Sequence, residues 1–402
     1  MNSVVIVGAG QAGVSLAAKL RSEGYDGAIT MIGDEPVPPY QRPPLSKAYL
    51  LGTMARERLF LRPESWYADN DVTLAEGMRA ETISPGDKTV TLSDGSSLPY
   101  DQLALTTGSV PRRLPDNMGG NLAGVFTVRS LADVDAMVDE FAQGRRLMVI
   151  GGGYIGLEAA AVAAGLGLDV TLIEAGPRIL GRVACAETAD WFRKAHTDHG
   201  VRIMENTAIA KLLGDTRFSG VELADGRKLL ADFCILGIGI TPNTQLAEVA
   251  GLTIDNGIAV DVHCRTSDPS IWAAGDCASF PGPAGMMRLE SVGNAIDMGE
   301  TVACNMLGQD KVYAAKPWFW SDQYAHKLQI AGLSGTQDRI VTRHGDGGVS
   351  FWYYAGERLI AVDAMDDPRA YMVGKRLIES GKSPSADAVG DPQTDLKALL
   401  SA

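Results

Sequence analysis

The chain has 402 residues, 46% hydrophobic and 21% charged, a globular composition longer than one typical domain. With 36 basic against 49 acidic residues its net charge is −13, so neither nucleic acid nor an anionic membrane is expected as the main partner. Its five cysteines, Cys185, Cys234, Cys264, Cys277 and Cys304, have no C-x-x-C and no metal-like spacing, which fits a reducing, cytoplasmic compartment.

The first predicted strand begins at Val4, leaving no room for a charged n-region and a cleavage site, so no targeting peptide is expected. Residues 4–13 read VVIVGAGQAG: an apolar strand runs into Gly8, Gly10 and Gly13, and apolar residues at helical spacing follow over 14–20. The first glycine permits the turn, the second lets backbone approach a pyrophosphate, and the third lets helix and strand pack closely, with the helix start facing the phosphates. The next strand, 28–32, ends at Asp34 and Glu35, about twenty residues on, where a carboxylate reaches a ribose hydroxyl.

Residues 37–50 (VPPYQRPPLSKAYL) are too rich in proline for a central strand, and their last residues can open a helix. A loop and short helix are expected over 54–70. Short strands follow over 72–98, around turns at Pro85-Gly86 and Asp94-Gly95, and then a buried strand over 102–106. LMVIGGGYIG at 147–156 repeats the opening with Gly151, Gly153 and Gly156, then a helix over 157–167 and a strand over 169–173 ending at Glu174. A hydropathy scan flags 147–168 as a membrane span because Glu158 is its only charge, but its six glycines and the motif indicate buried strand, turn and helix. Two such units predict two dinucleotides. A hairpin around Asp225-Gly226, a buried strand over 234–243 and another over 271–278 bring the chain back to the first domain. After Tyr313 come an aromatic cluster, PWFWSDQY, then strands over 327–333, 339–344, 349–354 and 358–364 and a helix over 368–380. His196 and His199, three apart on a predicted helix, show no third ligand; they read as solvated, and no metal site is expected.

The two glycine motifs, PPLSKAYL at 43–50, TTG at 106–108, GGGYIGLE at 151–158, GITPN at 239–243, GDCA at 275–278 and PWFWSDQ at 317–323 together resemble the putidaredoxin reductase group across essentially the whole chain. The resemblance implies an α/β fold of the glutathione reductase type. An FAD-binding domain would occupy 1–107 and 237–312, an NAD-binding domain 108–236, and a C-terminal α+β domain 313–402. It implies FAD held by Gly8, Gly10, Ala12, Gly13, Asp34 or Glu35, Lys47, Ala80, Arg129, Asp276 and Val292, and NADH held by Gly151, Gly153, Gly156 and Glu174. Arg178 and Arg182, near Glu174, are able to receive a 2′-phosphate and so bear on the choice between NADH and NADPH.

The function implied is an NADH-dependent ferredoxin reductase, delivering single electrons to a [2Fe-2S] ferredoxin that serves a haem monooxygenase or a Rieske dioxygenase. Lys47 and Glu158 would be its charged pair at the flavin and Trp320 the edge through which electrons leave. A buried lysine and glutamate have to pair. Arg56, Arg58, Arg62, Lys316, Lys327 and Lys397 are candidates for a local basic docking patch. An NADH oxidase or disulfide-type reductase is the first alternative, and RPPLSK stands where its redox cysteine would lie. A redox-signalling flavoprotein of the apoptosis-inducing-factor kind is the second, and neither a targeting segment nor a basic surface is visible for it.

Overall fold

Strands that are apolar at every position belong where both faces are covered, and the strands ahead of the two glycine motifs meet that condition. A computed structural model describes residues 1–401 and divides the chain into two compact units: Met1–Gln41, Arg56–Val110 and Thr241–Pro317 form one, and Arg42–Ala55, Pro111–Ile240 and the chain from Trp318 on form the other.

In the first unit Ser3–Val7 is the centre of a parallel five-stranded sheet, in the order Ile271–Ala273, Gln102–Leu105, Ser3–Val7, Ala28–Gly33, Val72–Glu76. Val72–Glu76 therefore belongs to this sheet, whereas Ala80–Ser84, Thr89–Leu92 and Ser97–Pro99 form a separate antiparallel one. The strand predicted over 271–278 stops at Ala273, because Gly275 takes a φ of +80° and the chain turns into the 3-10 segment Gly275–Cys277. Helix Gln11–Ser22 packs on helix Val292–Met306, which Ser291 caps by accepting from the Asn294 amide. Gly299 allows the crossing: a Cβ there would lie 2.5 Å from the Ala12 carbonyl oxygen.

In the second unit Arg146–Ile150 lies within another parallel sheet, ordered Arg202–Met204, Asp169–Ile173, Arg146–Ile150, Phe233–Leu236, Val125–Phe126. The helix expected over 157–167 is Tyr154–Gly165, because Gly153 already serves as its N-cap. The strand expected over 234–243 divides into Phe233–Leu236 and Ile240–Pro242 at a break around Gly237 and Gly239. Gly239 makes the break with a φ of +101°, and beside it the chain lies close to the second motif: a Cβ on Gly151 would stand 2.4 Å from the Gly237 carbonyl, so position 151 has no room for a side chain. The first motif makes the same demand on a different neighbour, since a Cβ on Gly8 would stand 2.2 Å from the Thr106 carbonyl. PPLS at 43–46 forms a 3-10 turn instead of opening an α-helix, in keeping with its adjacent prolines.

The aromatic run after Tyr313 contains a strand, Trp318–Gln323, at the edge of an antiparallel sheet continuing through His326–Gly332, Arg358–Met365, Val349–Ala355 and Arg339–His344. Helix Pro368–Ser380 packs against that sheet, capped by Asp367 and ended by Gly381 at a φ of +70°.

Replacing Gly299 by valine should disrupt the packing of helix Gln11–Ser22 on helix Val292–Met306. We expect a loss of roughly 2–3 kcal/mol in urea unfolding, the usual effect of overpacking a closed contact. A variant as stable as the parent would mean that the two helices separate without penalty.

Candidate functional site

Five short segments of the first unit carry the predicted FAD residues other than Lys47 and Arg129, which belong to the second. Gly10 is the N-cap of helix Gln11–Ser22 with no side chain capping it, and a Cβ added there would meet nothing within 4 Å. The first-turn amides of this helix, including those of Ala12 and Gly13, thus start beside open space, the arrangement that binds phosphate. Thr106 donates its hydroxyl to the carbonyls of Val7 and Gly8 and holds the turn. Past the end of Ala28–Gly33, Asp34 is exposed while Glu35 accepts a 2.5 Å bond from the Tyr40 hydroxyl. Ala80 is half-buried at the start of its strand, and Val292 is half-buried at the start of its helix. Asp276 accepts from the Ser109 hydroxyl at 3.0 Å.

The second unit repeats the arrangement. Gly153 is an N-cap without a side-chain partner and opens on free space. Glu174 takes one amide on each oxygen, Gly152 at 2.7 Å and Gly176 at 2.6 Å, which fixes the carboxylate and leaves each oxygen a lone pair. Arg178 is tied to the Cys185 carbonyl at 3.0 Å, while Arg182 is exposed. The Tyr154 hydroxyl, in the first turn of this helix, is buried with no hydrogen-bond partner among the described residues, and its ring lies 4.5 Å from that of Phe319. Two uncapped helix starts, a fixed carboxylate after the second and an unsatisfied buried hydroxyl beside it fit two bound dinucleotides.

Lys47 and Glu158 come together in this same unit. Glu158 is 2% exposed; its Oε2 accepts from the Lys47 ammonium at 2.7 Å and the Ser46 hydroxyl at 2.5 Å, and its Oε1 accepts from the Ser321 hydroxyl at 2.6 Å. The 3-10 turn Pro43–Ser46 presents Ser46 and Lys47, and its neighbour Arg42 donates to the Arg129 carbonyl at 2.6 Å. Strand alternation sorts the rest. Phe319, Ser321 and Gln323 meet Tyr154, Glu158 and His196, whereas Trp318 and Trp320, on the other face, stack with their ring centres 5.5 Å apart. The sequence reading missed Ser46, Ser321 and Gln323; the signal available was their place within the two motifs most specific to the family.

His196 departs from the expectation of a solvated residue: its relative exposure is 0%. Helix Ala186–Asp198 turns it inward, where Nε2 bonds Gln323 Oε1 at 2.8 Å and Nδ1 meets the Tyr324 hydroxyl at 3.0 Å. His199, at the helix end, is exposed as expected and stacks on Tyr324. A second buried acid, Asp363, accepts from the Tyr353 and Thr188 hydroxyls. All five cysteines are unpaired and buried, and burial pushes the thiols of Cys185, Cys234, Cys264 and Cys277 up, away from the reactive thiolate.

Residues 2–299 match the family model for pyridine nucleotide-disulphide oxidoreductases, and residues 318–400 match the reductase C-terminal model. The chain is 42% identical to rhodocoxin reductase of Rhodococcus erythropolis over 99% of its length and 94% of that protein. It is also 42% identical to a ferredoxin–NAD(P)(+) reductase of Sphingomonas sp, over 99% and 97%. Among solved structures it is similar to the covalent putidaredoxin reductase–putidaredoxin complex, at a TM-score of 0.96 and 38% identity, covering 100% of this chain and 98% of that one.

His196 and Asp363 make opposite contributions to stability with pH. Burial lowers the His196 pKa from 6.5 to about 4, so its stabilisation is full above 6.5 and is lost as pH falls towards 4. Burial raises Asp363 from 3.8 to about 6, so its contribution is full below 3.8 and is lost as pH rises through 6. His196→Gln removes only the first. Between pH 7 and pH 4.5 its urea-unfolding free energy should change about 2 kcal/mol more favourably than that of the parent. Parallel pH profiles would exclude His196 as a buried neutral base.

Proposed function

The chain belongs to the pyridine nucleotide-disulphide oxidoreductase family, in its putidaredoxin reductase-like branch, and we propose that it is an NADH-dependent ferredoxin reductase passing electrons through FAD to a [2Fe-2S] ferredoxin. The observation that carries the reading is the buried Lys47–Glu158 ion pair, in a chain whose five cysteines are all buried and whose PPLSK segment holds no thiol. Bound FAD supplies the conversion between a two-electron donor and a one-electron acceptor.

Each role is met by a feature of this chain. The amides after Gly8, Gly10 and Gly13 hold the FAD pyrophosphate. Asp34 receives the ribose, being exposed where Glu35 is taken by Tyr40. Ala80, Arg129, Asp276 and Val292 complete the FAD contacts. Lys47 offers its ammonium to the negative charge that reduction places on the flavin ring, and Glu158 holds that ammonium in place. Gly151, Gly153 and Gly156 accept the NADH pyrophosphate, and Glu174 accepts from the ribose diol. Trp320 is the exit for single electrons. The division into FAD-binding, NAD-binding and C-terminal domains given above is part of this reading, as is a cytoplasmic location, which the unpaired cysteines support. No helix among the described residues is long and apolar enough to cross a membrane.

Lys47→Met should retain FAD but slow its reduction by NADH, by roughly ten- to a hundredfold in stopped-flow bleaching of the flavin band. Normal reduction at full FAD content would leave Lys47 a structural residue. A carboxylate at Glu174 repels a 2′-phosphate, so kcat/KM should favour NADH, and Glu174→Ala should narrow the gap. Equal values for the two cofactors in the parent would refute that preference. Reduction of cytochrome c through a [2Fe-2S] ferredoxin should fall with added salt, while reduction of ferricyanide by NADH changes much less. If no such ferredoxin is reduced faster than by free flavin, the electron-transfer assignment fails.

A further inference from the structure

Glu158 Oε1 is the near end of a continuous buried chain of side chains. Ser321 Oγ is 2.6 Å from the carboxylate, Gln323 Nε2 is 3.1 Å from Ser321 Oγ, and Gln323 Oε1 is 2.8 Å from His196 Nε2. Ser321, Gln323 and His196 are 0%, 1% and 0% exposed, so water cannot substitute for a missing partner. The carboxylate offers only acceptors, which obliges Ser321 to donate its proton to it. Ser321 must then accept from the Gln323 amide NH2, Gln323 must turn its oxygen to His196, and His196 must carry its proton on Nε2. Nδ1 is left to accept from Tyr324. Every donor points towards Glu158.

We propose that His196 is a positioning residue for the Lys47–Glu158 pair, and that Gln323 and Ser321 couple the protonated nitrogen of its ring to the ionised state of Glu158. The far end of the chain is held under strain. Tyr324 has a φ of +57° in the two-residue turn between Gln323 and His326, a place where glycine or asparagine is usual. Its bond to His196 and its stack on His199, 3.7 Å between ring centres, compensate that conformation. The groups facing the His196 ring are Gln323 and Tyr324 from the hairpin and, at the end of its own helix, His199, whose protonation opposes a charge on His196. The kinetic consequence rests on the assignment of Lys47 and Glu158 to the flavin; the coupling itself does not.

Long-range 1H–15N correlation NMR of the 15N-histidine-labelled holoenzyme at pH 7.5 tests the coupling, with His196→Phe assigning the signal among the five histidines. The parent should be protonated on Nε2. In Glu158→Gln, Lys47 and Ser46 keep the amide oxygen, so its NH2 faces Ser321, each bond of the chain reverses, and the His196 proton moves to Nδ1. Ser321→Ala keeps Lys47 on Glu158 but interrupts the chain. It should leave the two tautomers mixed, and adding Glu158→Gln to it should change nothing further. A His196 that stays on Nε2 in Glu158→Gln, or that is unaffected by Ser321→Ala, overturns the proposal. His196→Phe should also lower flavin reduction at saturating NADH roughly three- to tenfold with KM within about twofold. If the tautomer follows Glu158 while both Lys47→Met and His196→Phe reduce flavin at the parent rate, the coupling stands and it is the flavin role of the pair that fails. If only His196→Phe is without effect, His196 does not position the pair.

Discussion

A carboxylate with almost no contact with water has to be surrounded by donors, and much of the second unit is arranged to supply them to Glu158. Removing an ionised acid from water costs several kcal/mol even after the protein relaxes, and the loss is offset only when opposite charge and hydrogen bonds are all in place. Two separate segments meet that demand. Adjacent prolines tighten residues 43–46 into a turn that delivers Ser46 and Lys47 together, and a sheet edge delivers Ser321. The helix makes the match geometrically possible. Tyr154 and Glu158 are one turn apart, about 5–6 Å along the axis, while Phe319 and Ser321 are two residues apart on a strand, about 6.5 Å. The aromatic pair and the polar pair can therefore form side by side, and each fixes the register of the other. Removing either serine would leave the carboxylate one donor short at a buried site.

What was legible beforehand follows from which signals are local. The two strand-turn-helix units were readable because apolar strand, spaced glycines, helix and following acid all lie within some thirty residues, and the helix 368–380 because Asp367-Pro368 and Gly381 mark both its ends. The need of Glu158 for a counter-ion was readable from elementary electrostatics, since an isolated charge in an apolar helix has to be paired, whereas Lys47 as its partner was implied by the family resemblance. His196 was misread because its burial depends on Gln323 and Tyr324, well over a hundred residues away, and nothing beside it in the sequence announces them. Ser321 and Gln323 were hidden for a related reason. Alternating polar residues on an edge strand ordinarily mark the solvated face, and here they mark the inner one. The break in 234–243 was invisible because apolar residues run on through Gly237 and Gly239, and the close approach of Gly237 to Gly151 that goes with it joins segments far apart in the sequence.

That close approach limits how the chain could be rearranged. The two glycine motifs look interchangeable as linear segments, yet each is half of a matched contact. Gly8 closes on the carbonyl of Thr106, whose hydroxyl also ties down the turn, and Gly151 closes on the carbonyl of Gly237, where a Cβ would in its turn stand 3.3 Å from Gly156. A chimaera grafting residues 146–174 into the place of 3–33 would bring its fingerprint without the strand end that accommodates it. Recombination between the two halves is therefore tolerable only where the exchanged piece carries the motif and the distant strand end as one block. Despite their shared pattern, the two halves are free to diverge separately and hard to shuffle.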